Sequence, residues 1–204
     1  METGQINVLL LVEAMKLLQP YKLKGDMLQV SNSMTQLFGL QVHFSITVNY
    51  LNHHFIEITG GLTDSEGIFD ETLATTEFVT INGESTFGPE LPLGLWGHCI
   101  AALDESSFIV AGGVSGYTIA TSYIYNKLTN EWISGPQMST DRYLFKCGSF
   151  KSEAHGGHNV VVAVGGYSTQ TGMLDTAEVF DPSNPEAGWV QSILSLIFVA
   201  IFFN

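Results

Sequence analysis

Three apolar runs in this chain end in a glycine pair, and they recur at a near-constant interval. They are Phe55-Ile-Glu-Ile-Thr-Gly60-Gly61, Phe108-Ile-Val-Ala-Gly112-Gly113 and Val160-Val-Val-Ala-Val-Gly165-Gly166. The second glycines stand 52 and then 53 residues apart. A period near 50 marks a repeat architecture, in which each unit is one supersecondary module that cannot bury its own faces. Such arrays present surfaces, so the period favours a binding protein over an enzyme.

The middle unit is the plainest. His98 to Leu103 reads as a first strand, Asp104 to Ser107 as its polar turn, and Phe108 to Ala111 as a short apolar strand closed by Gly112-Gly113. Val114 to Ala120 is a loop, Ser122 to Tyr125 a third strand, and Glu131 to Ile133 a fourth. Gly135-Pro136 ends the unit. The last unit has strands at Tyr143 to Phe150, Val160 to Val164, Thr176 to Phe180 and Gly188 to Val190. The first has His43 to Val48, Phe55 to Thr59 and Thr76 to Ile81, then Gly88-Pro89. The expected organisation is an N-terminal segment over 1–41, repeats over 42–92, 93–138 and 139–191, and an apolar tail over 192–204. Within the first segment Val8 to Gln19 fits an amphipathic helix, whereas Met27 to Leu40 has no clear period.

These residues resemble kelch repeats. The resemblance spans roughly residues 42–191 and rests on Gly-Gly after an apolar strand, an aromatic in strand three, a Trp in strand four and the Gly-Pro segment. The aromatic pairs are Tyr125 with Trp132 and Phe180 with Trp189. In the first unit Phe78 fits the first aromatic and Phe87 only loosely fills the Trp position. The resemblance implies an all-β fold, a partial β-propeller of about three four-stranded antiparallel blades. Gly60, Gly61, Gly112, Gly113, Gly165 and Gly166 would turn the chain, and the aromatic pairs would fill the gaps between blades. Propellers have four to eight blades. The chain is therefore expected to be a piece of a longer propeller, or to complete a ring as a homo-oligomer.

Composition narrows the function. Hydrophobic residues make up 45% of the chain and charged residues 13%, a balance that builds a core. The net charge of −13 repels phosphate backbones, so nucleic acid is not an expected partner. The two cysteines, Cys99 and Cys147, follow the Gly-Pro segments at nearly equal distances. Read as repeat equivalents, they would lie a unit apart as free buried thiols, which suits a reducing compartment and gives cytoplasm as the expected location. Extracellular or tail-anchored placement is the alternative. The Ile193 to Phe203 run is shorter than the roughly 18 residues of a bilayer span, so a membrane role is not expected.

In kelch-like propellers the connection after Gly-Gly and the one entering strand one share a face. The resemblance thus points to Leu62 to Thr72, Val114 to Ala120, Tyr167 to Leu174, Leu93 to Gly97 and Ser139 to Tyr143. The candidate partner-binding residues are Asp64, Glu66, Trp96, Tyr117, Arg142, Tyr143 and Tyr167. The expected partner is a protein, with a basic peptide or surface suited to the acidic loop. His155-Gly-Gly-His158 and His53-His54 invite a metal reading. They lie in turns of non-adjacent units, without a carboxylate or thiol at ligand spacing, so no metal or other cofactor is expected. Catalytic motifs such as Gly-x-Ser-x-Gly and His-Glu-x-x-His do not occur. The expected function is a non-catalytic interaction module. The alternatives are a copper oxidase resembling galactose oxidase and a cytoskeleton-associated structural propeller.

Overall fold

The structure is a computed structural model and describes residues 27–30, 46–49, 55–65, 68–80 and 85–192. The fold is all-β, with antiparallel pairing throughout and no α-helix among the described residues. The segments Val8 to Gln19 and Ile193 to Phe203, and the pair His53-His54, lie outside these residues.

Two four-stranded antiparallel sheets form the centre. The middle sheet runs Cys99–Ala102, Ser107–Ala111, Ser122–Asn126 and Glu131–Ser134, each strand bonded to the next in sequence. The last sheet repeats this meander with Lys146–Ser152, His158–Val164, Ala177–Phe180 and Trp189–Ser192. The aromatic pairs sit directly across from one another, Tyr125 opposite Trp132 and Phe180 opposite Trp189, with ring centroids 5.2 and 5.5 Å apart.

The first unit departs from the expected plan. Phe55–Ser65 and Ile68–Thr80 pair as one long antiparallel ladder, so the stretch 62–72, expected as a loop, is strand over 62–65 and 68–72. The register shifts between Thr59 and Gly61, where Gly60 takes a positive φ of 64° and lets the ladder bulge without breaking. Ser85–Phe87 completes this sheet at three strands. Phe87 lies opposite Glu77, while Thr86 faces Phe78, so Phe87 does not occupy the Trp position; it is 78% exposed. The expected first strand is also displaced. Ile46–Asn49 pairs with Met27–Val30 in a separate ribbon, and its partner strand came from a stretch without readable periodicity.

Side-chain alternation explains how the sheets pack. Ile100, Phe108 and Val110 point to one side of the middle sheet and cluster with Leu91, Leu95 and Tyr125, against Ala74 and Phe78 of the first sheet. The alternate residues Cys99, Ala101, Ile109 and Ala111 point to the other side, where they meet Phe145, Cys147, Val161, Ala163, Phe180 and Trp189 of the last unit. The middle sheet is thus covered on both faces at its first two strands, which is why Cys99–Ala102 and Phe108–Ala111 read as unbroken apolar runs.

Cys99 and Cys147 form a disulfide across this second junction, with Cα atoms 5.9 Å apart, so they are not free thiols. Their apparent equivalence was off by one residue. Cys99 lies opposite Ala111, just before Gly112, and the residue in that place in the next unit is Lys146, opposite Val164. Cys147 is one position further on, and one step along a strand reverses the face. The two thiols therefore face each other across the gap between sheets. Bonded cysteines also remove the argument for a reducing compartment, because disulfides persist in oxidising surroundings.

His98 occupies the junction between the first and middle sheets. It is buried, with Nε2 2.9 Å from the Thr59 hydroxyl oxygen. Burial outweighs the hydrogen bonding to Thr59 and lowers its pKa from 6.5 to about 4.

Two predictions follow from these junctions. Replacing both cysteines by alanine releases a 48-residue closure and is expected to cost about 2–4 kcal/mol in urea unfolding of the full chain. For His98, the unfolded imidazole takes up a proton below pH 6.5 that the buried ring refuses until about pH 4. Stability should fall as pH drops through that window, by about 3 kcal/mol in all, and His98→Phe, the residue at the matching position 145, should flatten the profile.

Candidate functional site

The site is built where the chain enters each sheet and where it leaves each Gly-Gly. Trp96 and Val114 exchange backbone hydrogen bonds of 3.2 and 2.9 Å, and one unit later Tyr143 and Tyr167 exchange two of 2.9 Å. Each entering connection is thereby fixed to its own unit's Gly-Gly exit. Two further bonds join neighbouring units: Leu144 N donates to Gly97 O at 2.8 Å, and Gly113 N donates to Arg142 O at 2.8 Å.

Gly112 and Gly113 are required at this crossing. Their φ values are 63° and 100°. A Cβ on Gly113 would stand 2.9 Å from the Trp96 carbonyl, and one on Gly112 would meet the Arg142 carbonyl and stand 2.8 Å from the Phe145 ring. The pair is squeezed between its own unit's entering connection and that of the following unit.

The crossing brings three of the expected residues into one row. The Trp96 and Tyr143 rings meet edge to face at 5.4 Å, and Tyr143 and Tyr167 lie 6.2 Å apart. Trp96 and Tyr143 are partly buried, and Tyr167 is exposed. Tyr117, 70% exposed, stands beside the row on the small ribbon Val114–Ser115 with Tyr117–Thr118. That ribbon is tied to the next one, Tyr167–Ser168 with Gly172–Met173, through the Thr118 and Thr169 hydroxyls and a 2.9 Å bond from Thr169 N to Thr118 Oγ1. Ser168 donates to Asp141 and accepts from Gln170 N, which closes the second ribbon onto the entering connection.

Arg142 does not belong to the exposed set. Its side chain is fully buried and pairs with the equally buried Glu178 at 2.8 Å. It also donates to the carbonyls of Gly165 and Thr176. Glu178 accepts in turn from the backbone of Ser139 and Thr140. Sequence position placed Arg142 beside Tyr143 correctly but could not show which way it turns; adjacent residues here point to opposite sides. Asp64 lies in the Phe55–Ser65 strand, and Glu66 lies outside the described residues. Among the described residues no group of three or more His, Cys, Asp or Glu gathers as a metal site; His155 Nδ1 lies 2.8 Å from the Ser152 hydroxyl.

One residue of the site was missed. Leu144 is 62% exposed and has a φ of 51°, a left-handed conformation that costs a Leu on the order of 1–2 kcal/mol. The matching position in the preceding unit is Gly97, with φ 64°. Aligning Gly97 with Leu144 was the available signal. A strained, exposed apolar residue beside an aromatic row is the kind of outlier that collects at binding surfaces. Leu144→Gly is expected to raise stability by about 0.5–1 kcal/mol in denaturant titration, because the backbone strain it removes exceeds the entropy that glycine adds to the unfolded chain.

No protein-family model matches this chain, and no curated protein matches its sequence.

Proposed function

We propose that the chain is a kelch-like propeller segment whose role is to bind a partner protein through the face carrying Trp96, Tyr143 and Tyr167. Two consecutive four-stranded meanders packed face to face support the propeller reading. The carrying observation for the function is the aromatic row itself. Its rings stand on main chain fixed by paired hydrogen bonds and pack against one another, so little side-chain freedom is lost when they are covered, and rigid aromatic groups of this kind are enriched at interface hot spots. The oxidase alternative needs a tyrosine cross-linked to a cysteine, and both cysteines are bonded to each other.

A surface-display screen of protein fragments against the purified, disulfide-bonded full chain tests the reading. Partners are expected to be lost with Tyr143→Ser/Tyr167→Ser and kept with Phe87→Ser, which alters an exposed aromatic on a different strand. Partners that survive the double change as well as they survive Phe87→Ser would refute it.

A further inference from the structure

Two non-glycine residues have a positive φ among the described residues, Asn130 and Leu144. Asn tolerates that conformation, and the Asn130 side chain is engaged, accepting from the Tyr125 hydroxyl at 2.6 Å. Leu144 has neither excuse: a Leu is strained there, and the residue is 62% exposed. The preceding unit holds Gly97 at the matching position with φ 64°, so the crossing requires the conformation and not the side chain.

The left-handed turn decides where that side chain goes. Along an extended strand, neighbouring side chains point to opposite sides. Here they converge, since a Cβ placed on Gly97 would lie 3.5 Å from Leu144 Cδ2 and 3.6 Å from Tyr143 Cβ. Leu144 therefore leans over Gly97 alongside Tyr143 and joins the aromatic row. Met173, 74% exposed and directly opposite Tyr167 in its ribbon, extends the apolar surface on the other side of the row.

Charge does not mark this surface. The connections 91–98 and 113–121 contain no Lys, Arg, Asp or Glu. Arg142 is neutralised by Glu178 beneath the surface, and Asp141 accepts from the Ser168 hydroxyl. The exposed charges at its border, Lys146 and Asp175, are of opposite sign. Neither a cationic nor an anionic partner is favoured by such a border. A strained backbone that holds up a largely exposed Leu gains little in the isolated chain. Covered by an apolar surface, the same side chain contributes the burial of its exposed part.

We propose that Leu144 is an anchor residue of the binding face and that the partner protein meets it with an uncharged apolar patch. The inference rests on the interaction reading above and adds to it one residue and the chemistry of the partner.

The test is to pan a phage library of random peptides against the immobilised full chain, then measure the enriched peptides by fluorescence anisotropy in low and high salt. Enriched peptides are expected to carry clustered apolar residues, with affinities that salt does not weaken. Leu144→Gly and Leu144→Asn should each weaken them about tenfold, whereas Leu144→Met, which keeps an apolar side chain of similar size, should stay within about twofold. Because Leu144→Gly relieves backbone strain, its loss of binding cannot come from a weakened fold; thermal unfolding of each variant checks this. Peptides that weaken with Tyr143→Ser/Tyr167→Ser but are indifferent to Leu144→Gly would overturn the anchor and leave the interaction reading standing. Charged peptides whose affinity falls in high salt would overturn the apolar chemistry. No enrichment, or binding indifferent to every variant, would overturn both readings.

Discussion

Arg142 holds two repeats at once, by different parts of the same residue. Its carbonyl accepts from Gly113 N in the middle unit, and its guanidinium donates to Gly165 O and pairs with Glu178 in the last. The connection between the two sheets therefore cannot move relative to either Gly-Gly. Tyr143 and Leu144 follow directly in the chain, so the position of the aromatic row depends on this clamp. Burying an ion pair is expensive, and the cost is recovered here through hydrogen bonds: Glu178 also takes the backbone N–H groups of Ser139 and Thr140. The middle unit solves the same problem without charge, since Leu95 stands where Arg142 stands and packs in an apolar cluster.

The two junctions are held by different means. The first and middle sheets meet through apolar contacts, the His98–Thr59 contact and a bond from Trp132 Nε1 to Pro89 O of 3.0 Å. The middle and last sheets add a covalent bond and a bond from Asn159 Nδ2 to Leu103 O of 3.1 Å. In arrays stabilised by nearest-neighbour interfaces, such inequality decides which unit opens first. The unit expected to open first is the one bearing the long hairpin, so that hairpin and the aromatic row sit on parts of unequal firmness.

Much of the fold was legible because its strongest constraints are local. An apolar run followed by Gly-Gly specifies a buried strand and a left-handed exit, and the spacing of Tyr125 to Trp132 and of Phe180 to Trp189 specifies a hairpin pair; both hold in the middle and last units, whereas in the first the strand runs on through Gly60-Gly61. What escaped was set by register or by tertiary direction. A one-residue offset between Cys99 and Cys147 turned supposed equivalents into partners. The long first hairpin depends on a bulge at Gly60 that composition does not announce, and Met27–Val30 is a strand only because Ile46–Asn49 pairs with it. At the site, Trp96, Tyr143 and Tyr167 could be named from their place in the repeat. The inward turn of Arg142 and the left-handed Leu144 could not, since neither changes the hydrophobic pattern.

The disulfide also fixes how this chain would respond to a pull on its ends. The residues between Cys99 and Cys147 form a closed covalent loop containing the whole middle sheet apart from its first residue. Under tension, force reaching Cys99 passes straight to Cys147 and bypasses the strands between them. About 160 Å of extensible backbone is thereby withheld, at roughly 3.3–3.6 Å per residue. The middle sheet would stay slack inside a taut molecule, and with it Gly112-Gly113, the glycine pair on which both neighbouring connections rest.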